Sequence, residues 1–319
     1  MTVENFSLDF EKPLLELQDK IVKMEAFSKE NNIDMTGQIA DLNRQLGEKK
    51  IDIFENLSPW QRVSLARHPK RPYSLDYIEK ITTDFMELKG DRQFGNDEAI
   101  IGGFAKLDGT PIMILAHQKG RDLQERNKRN FGMAHPEGYR KALRLMKLAE
   151  KANVPILCII DTPGAYPGIA SEERHVGEAI AVNLREMFNL KVPIVCAVIG
   201  EGGSGGALGI GIGNKVLIME NAYYSVISPE GCAGIIWKDG SRAPEAADAM
   251  KITARHLMEL NVVDGVIKEP VGGAHKDHDS AAKFFKEAIL EQFNELSQLS
   301  KKEILDQRYK RFRALGEIG

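Results

Sequence analysis

The residues best suited to chemistry lie in Gly200-Glu201-Gly202-Gly203-Ser204-Gly205-Gly206, directly after the apolar run Val192 to Ile199. An apolar run of that length bounded by turn residues predicts a strand buried on both faces. Ala207-Leu208-Gly209-Ile210-Gly211 follows, and the spacing predicts a short helix starting near Ser204. A strand that passes into a helix through glycines leaves amide N–H groups unpaired at the helix start, where they stabilise negative charge. The missing Cβ atoms permit positive φ and let a substrate approach the backbone.

Three common patterns overlap this stretch. Gly200-x-Gly202-x-x-Gly205 fits the dinucleotide fingerprint, with Glu220 at the distance of a ribose-binding carboxylate, but such a turn normally follows the first strand of its domain. Gly202-x-Ser204-x-Gly206 fits a nucleophile elbow, with Asp264 and His275 following in the order of a serine hydrolase. A phosphate loop is excluded because no Gly-Lys-Ser/Thr follows, which leaves Asp161-Thr162-Pro163-Gly164 without its usual partner. A plain packing turn would explain one or two glycines, but hardly five in seven residues.

The elements that must hold this turn read as parallel α/β construction. Val154 to Ile160 is a second apolar strand ending in a turn, Asp161 to Gly168; Glu172 to Leu190 predicts one amphipathic helix, and Val192 begins the next strand. Two such turns should lie together at the carboxyl ends of adjacent strands. Ala99 to Lys106 and Pro111 to His117 predict a hairpin about Asp108-Gly109. Ala222 to Ile227 extends the sheet, Ala243 to Leu260 predicts a helix, and Val262 to Ile267 a short strand. Leu14, Leu17, Ile21 and Met24, then Ile39, Leu42 and Leu46, predict an N-terminal helical hairpin. Asp277 to Arg313 predicts a charged helical tail. The stretch around Trp60 to Tyr77, with Pro59, Pro69 and Pro72 and the basic Arg62, Arg67, His68, Lys70 and Arg71, reads as a connector with a basic rim. The basic segment Lys119 to Lys147 reads mostly as a solvated face, or else as a landing site for phosphates or an acidic partner.

The 319 residues carry 43% hydrophobic and 28% charged side chains and a net charge of −3, which describes a globular protein with ample core and no global basic excess for coating nucleic acid. The N-terminus has no basic region followed by an apolar core, and no apolar run approaches a membrane span, so a cytoplasmic address is expected. Cys158, Cys196 and Cys232 form no CxxC pair, and the first two sit inside strand runs as small buried thiols.

Asp161 to Gly168, Gly200 to Ala207 and Tyr224 to Gly231, with Arg67-His-Pro, Arg71-Pro-Tyr73, Pro136 to Leu143 and Pro270 to His275, resemble the carboxyltransferase alpha subunit of bacterial acetyl-CoA carboxylase over nearly the whole chain. The resemblance implies a crotonase-like superhelix of ββα units, with a helical extension at 1–58, the carboxyltransferase domain at 59–270 and a helical tail at 271–319. It implies transfer of a carboxyl group from N-carboxybiotin, borne on a biotin carboxyl carrier protein, to acetyl-CoA to form malonyl-CoA. Both halves of that reaction generate an oxyanion. The resemblance places the ureido oxygen against the N–H groups of Gly205 and Gly206, with Gly164, Ala165 and Tyr166 as one wall of the biotin pocket and Gly202, Gly203 and Ser204 as the other. The biotin anion itself would take the acetyl proton, which leaves His256, His275 and His278 to structural roles. The resemblance further implies an α2β2 assembly with a beta subunit that carries zinc, biotin carboxylase in the full complex, and no metal in this chain. A stand-alone acyl-CoA hydratase or decarboxylase of the same fold is the alternative; it would need a carboxyl group at the pocket, for which Glu201 and Glu230 are available. One departure stands out: the family pattern continues Glu-Glu-Arg with Gly-Gln, whereas this chain has His175-Val176. A histidine there is strained if the glycine's φ is positive.

Overall fold

In the computed structural model, which describes residues 6–316, one mixed sheet carries the chain from Thr83 to Ile267. The outermost residues of the expected helical extension and tail lie outside the described residues. Two helices, α1 (Lys12–Asn31) and α2 (Thr36–Glu55), form the N-terminal hairpin, with Leu14, Ile21 and Leu42 as its buried stripe. The stretch read as a connector is instead two further helices, α3 (Pro59–Ala66) and α4 (Ser74–Ile81). Ser58 opens α3 with a capping box: its N–H donates to Gln61 Oε1 at 2.8 Å while its hydroxyl accepts the Gln61 N–H at 3.3 Å, and Pro59 fills the first turn.

The strands β1 (Thr83–Glu87), β2 (Ile100–Leu107) and β3 (Thr110–His117) pair antiparallel. Asp108 and Gly109 both take positive φ, 47° and 79°, as a two-residue type I′ hairpin requires. The chain then passes through α5 (Leu123–Lys128) and α6 (Pro136–Ala152) to β4 (Ile156–Thr162), through α7 (Ile169–Glu173) and α8 (Val176–Asn189) to β5 (Ile194–Gly203), and through α9 (Ser204–Leu208) to β6 (Lys215–Met219). From β3 onward every neighbour is parallel, in the order β1-β2-β3-β4-β5-β6-β8, where β8 is Gly265–Ile267, with the short β7 (Tyr223–Ser225) pairing the last residues of β5. Every residue of β4 and β5 is buried, as expected of central strands covered on both faces. Then come α10 (Pro229–Trp237), α11 (Ala243–Ala249), α12 (Ala254–Glu259), β8 (Gly265–Ile267), α13 (His278–Leu296) and α14 (Lys301–Arg313).

Two expected helices are each broken in two and the helical tail is divided as well, and local backbone explains each break. His175 takes φ 64° and ψ 56° between α7 and α8, so this residue, the departure noted in the sequence, sits in the left-handed region at a cost of about 1 kcal/mol. Lys251, at φ 54°, separates α11 from α12. Ser300 starts α14 with a second capping box to Glu303 after the chain turns at Ser297 to Leu299. The tail belongs to the main core: Phe285, Ile289, Leu296 and Ile304 pack in the same cluster as the strands. Arg308 is fully buried and donates to the carbonyls of Met187, Leu190 and Val192 and to Asn214 Oδ1, at 2.6 to 2.9 Å.

Candidate active site

The two glycine turns meet. β4 and β5 end side by side, with Thr162 opposite Gly202, and the turn after β4 folds over the elbow between β5 and α9. A Cβ on Gly203 would lie 2.2 Å from Pro163 O, and one on Gly206 would lie 2.3 Å from Gly164 C and 2.5 Å from Ala165 N. Those are backbone atoms, so glycine is required at 203 and 206 for closeness and not for φ. Contrary to the sequence expectation, none of the glycines from 200 to 206 has positive φ; the left-handed residue of the elbow is Ser204, at φ 51°. The strand also runs further than expected, through Gly203, and α9 follows without a linker.

Gly205 and Gly206 occupy the second and third positions of α9, where N–H groups have no partner within the helix. Neither N–H donates to another described residue. Gly205 is half-buried and Gly206 buried. Two unpaired donors on one rigid elbow suit a developing oxyanion, because they need not reorganise as charge appears. Gly164 to Tyr166 do lie beside this elbow. The Thr162 hydroxyl donates to Gly164 O at 2.7 Å and accepts the Gly164 N–H at 3.1 Å, which fixes the turn. The Tyr166 ring packs on His135, 4.3 Å between centroids, and fills the space a side chain at 168 would need.

Beside the elbow lies a charge network that sequence reasoning missed. Lys119 Nζ donates to Asp161 Oδ1 at 2.8 Å and to Glu201 Oε2 at 2.7 Å. Glu201 Oε1 accepts from Arg67 Nε at 2.8 Å and from the Tyr223 hydroxyl at 2.7 Å, and Arg67 extends to Glu230 at 2.5 Å. Lys119 and Arg67, read as solvated and as rim, are thus largely enclosed. So is Lys141, which donates to Asn96 Oδ1 and Asp97 O. Burial alone would raise the Glu201 carboxyl, but Lys119 and Arg67 outweigh it and hold the group at about 2. Burial would likewise lower the Lys119 ammonium, and Asp161 and Glu201 raise it instead. Glu201 is therefore fixed as a carboxylate and is ill placed to donate or take a proton near neutral pH.

This pairing has a measurable consequence. A carboxyl group lowered from 4.5 to about 2 on folding contributes about 3 kcal/mol of stability that is complete above pH ~4.5 and lost as pH falls towards 2. Glu201→Gln is expected to lower the urea midpoint at pH 7, with the gap to the parent chain narrowing at pH 3. A gap that stays constant with pH would show that the pairing does not stabilise the fold.

The other patterns come apart in three dimensions. Asp264 bonds the Val216 N–H and Arg311, while His275 is buried beside Glu11, so neither serves Ser204. Glu220 accepts the Glu269 N–H, away from the elbow. Glu11, His68 and His275 bring ligand atoms within 4.8 Å of one another. His68 Nδ1, however, accepts the Lys70 N–H at 3.1 Å, which puts the ring proton on Nε2, and Lys276 Nζ already sits 3.0 Å from Glu11. The group acts as a clamp that docks the start of α1. His278 bonds Lys70 O, tying the start of α13 to the chain between α3 and α4, and His256 bonds the Thr253 hydroxyl three residues before it.

The family model described as acetyl co-enzyme A carboxylase carboxyltransferase-like matches residues 7–316. The chain belongs to this family. It is 54% identical to the acetyl-coenzyme A carboxylase carboxyl transferase subunit alpha of Anoxybacillus flavithermus over 313 residues, covering 98% of this chain and 96% of that protein. It is 53% identical to the same subunit of Bacillus subtilis over 311 residues, covering 98% and 96%. Among solved structures it is similar to transcarboxylase 12S, at a TM-score of 0.54 and 21% identity over 67% of this chain and 42% of that one, less than half its length. A Pseudomonas malonate decarboxylase hetero-tetramer in complex with coenzyme A gives a TM-score of 0.57 at 15% identity, covering 70% and 89%. The beta subunit of Pseudomonas aeruginosa geranyl-CoA carboxylase gives 0.55 at 16%, covering 76% and 46%. At these identities the likeness concerns the fold, and it is the crotonase-like fold expected from the sequence.

Proposed function

We propose that this chain is the alpha subunit of an acetyl-CoA carboxylase carboxyltransferase, which moves a carboxyl group from N-carboxybiotin on a carrier protein to acetyl-CoA, forming malonyl-CoA. The observation that carries this reading is the pair of unpaired N–H groups on Gly205 and Gly206, on an elbow pinned to the Gly164–Ala165 peptide. These amides would hold the ureido oxygen, and Tyr166, with one face on His135, would border the ring. The group so held supplies the carboxyl that is transferred. The chain's own part is to fix two donors where negative charge appears and to keep the nearby carboxylates from acting as bases. The stand-alone hydratase or decarboxylase is not favoured, because Glu201 and Glu230, its candidate acid and base, are both tied to Arg67.

A second polypeptide completes the site. Two cavities flank the elbow, one of about 270 Å³ beside Arg67 and Lys119 and one of about 200 Å³ between Ser204 and α14, and neither is lined by Gly205 or Gly206. Around this end Ile169 and Val226 are each 79% exposed, and Ile235 and Ile236 on α10 are exposed as well. Apolar side chains left in water in this way suit a covering partner. We take that partner to be a beta subunit that binds acetyl-CoA and carries zinc, in an α2β2 assembly with biotin carboxylase and the carrier in the complete cytoplasmic enzyme. No helix among the described residues is long and apolar enough to cross a membrane.

The test is malonyl-CoA formation from carboxybiotin and acetyl-CoA with this chain alone, with a candidate beta subunit alone, and with both. Activity is expected only from the mixture. Turnover by the chain alone at the rate of the mixture would refute the assignment.

A further inference from the structure

Away from the elbow, the loop at 90–95, α6 and the start of α8 enclose a cavity of about 500 Å³ whose lining includes Arg92, Arg140, Arg144, Lys147, Asp91 and Glu178. Its charges are not balanced within it. Asp91 is turned inward: Oδ1 accepts the N–H groups of Gln93, Phe94 and Gly95, each at 2.9 Å, and Oδ2 accepts from Arg140 Nε at 2.9 Å. Arg140 gives its other donors to Glu137 and to Arg174 O, and Lys147 pairs with Glu186 at 3.0 Å. Arg144 donates from Nε to Gly90 O and from Nη2 to Lys89 O, which leaves Nη1 without an acceptor. Arg92 makes no hydrogen bond or ion pair with a described residue, and its Nη1 lies 3.8 Å from where a Gly90 Cβ would be.

Two guanidinium groups therefore converge on Gly90, and neither is paired with a carboxylate among the described residues. Burial and the nearby Arg92 charge both lower the Arg144 guanidinium, and the Asp91 carboxylate, already bonded to Arg140 and three N–H groups, offsets them only in part. Glu178, which is exposed, is the one lining carboxylate not already bonded to a described residue. Guanidinium forks grip phosphate through parallel N–H bonds, and a dianion between them would relieve their repulsion.

We propose that this cavity binds a phosphate-bearing anion, with Arg92 and Arg144 holding the phosphate group. This narrows the basic segment read from the sequence to one face of α6 and adds a residue, Arg92, from outside it. The site is separate from the elbow and does not rest on the reaction proposed above.

Titration calorimetry of the full chain with inorganic pyrophosphate, at constant ionic strength, tests it. Saturable binding at one site is expected, weakened about tenfold or more in Arg92→Ala, the worth of one charge-assisted contact. Arg92 is exposed and bonds nothing, so that variant should melt with the parent chain. Arg144→Lys keeps the charge but loses the fork, and it too should bind more weakly. Coenzyme A that competes with pyrophosphate would identify a nucleotide as the source of the phosphate, and failure to compete would identify a free inorganic anion. No saturable binding by the parent chain, or equal binding by Arg92→Ala, would overturn the proposal.

Discussion

Gly206→Ala is expected to lower carboxyl transfer, measured with the beta partner present, by at least about 100-fold, while Gly205→Ala stays within about tenfold of the parent chain. The substitutions are chemically identical and adjacent, and the difference comes from what each new methyl would meet. At 205 the nearest atom is the end of the Ile180 side chain at 3.6 Å, an ordinary contact. At 206 it is the Gly164–Ala165 backbone at 2.3 to 2.5 Å, which cannot yield without separating the two turns. A displacement of about 1 Å at positioned groups is enough for a loss of this size. It follows that a bulky residue at 206 will disturb folding as well as turnover, whereas one at 205 is the milder probe. Equal effects at the two positions would mean that contact between the turns does not set the geometry of the amides.

The second large effect concerns stability. Arg71 is fully buried behind β5, donating from Nε to Ile199 O at 2.7 Å and through both terminal nitrogens to Glu269 at 2.9 and 2.5 Å. Glu269 accepts further from the Asn221 and Ala274 N–H groups, each at 2.9 Å. Removing one member of such a pair strands the other charge in the interior, at about 3–5 kcal/mol. Arg71→Met is therefore expected to lower the unfolding midpoint by roughly 5 °C or more. Arg71→Met combined with Glu269→Gln should cost less than Arg71→Met alone, because the stranded charge is gone. A double variant less stable than either single one would show that the hydrogen bonds, and not the uncompensated charge, dominate.

The sequence made the centre of the fold readable and left its polar wiring hidden. The strands β4 and β5 are continuous apolar runs, and Asp108-Gly109 is a turn dipeptide whose backbone demand is local. β1 has no such mark, since four of its five residues are exposed on an edge. The capping box at Ser58 was a legible signal that the stretch read as a connector opens a helix, and the one at Ser300 that a new helix begins within the tail. The left-handed residues Ser204 and Lys251 carried no signal, because neither type favours that region. Lys119 and Arg67 could not be placed because their partners lie 42 to 163 residues away, and only the assembled sheet brings those carboxylates to them. His175 is the reverse case, a position whose positive φ is anticipated from the sequence and is what the backbone shows.

The two elbow amides are expected to carry the charge that develops during carboxyl transfer. Replacing residue 206 by glycolate converts its N–H into an ester oxygen and leaves the glycine shape intact. With the beta partner present, turnover is expected to fall by about 100- to 1,000-fold, the usual worth of one oxyanion donor, with partner binding unchanged and the unfolding midpoint lowered only slightly, since the ester carbonyl of residue 205 still accepts the Gly209 N–H, more weakly. Full turnover by the ester protein would show that the Gly206 amide plays no part in the reaction.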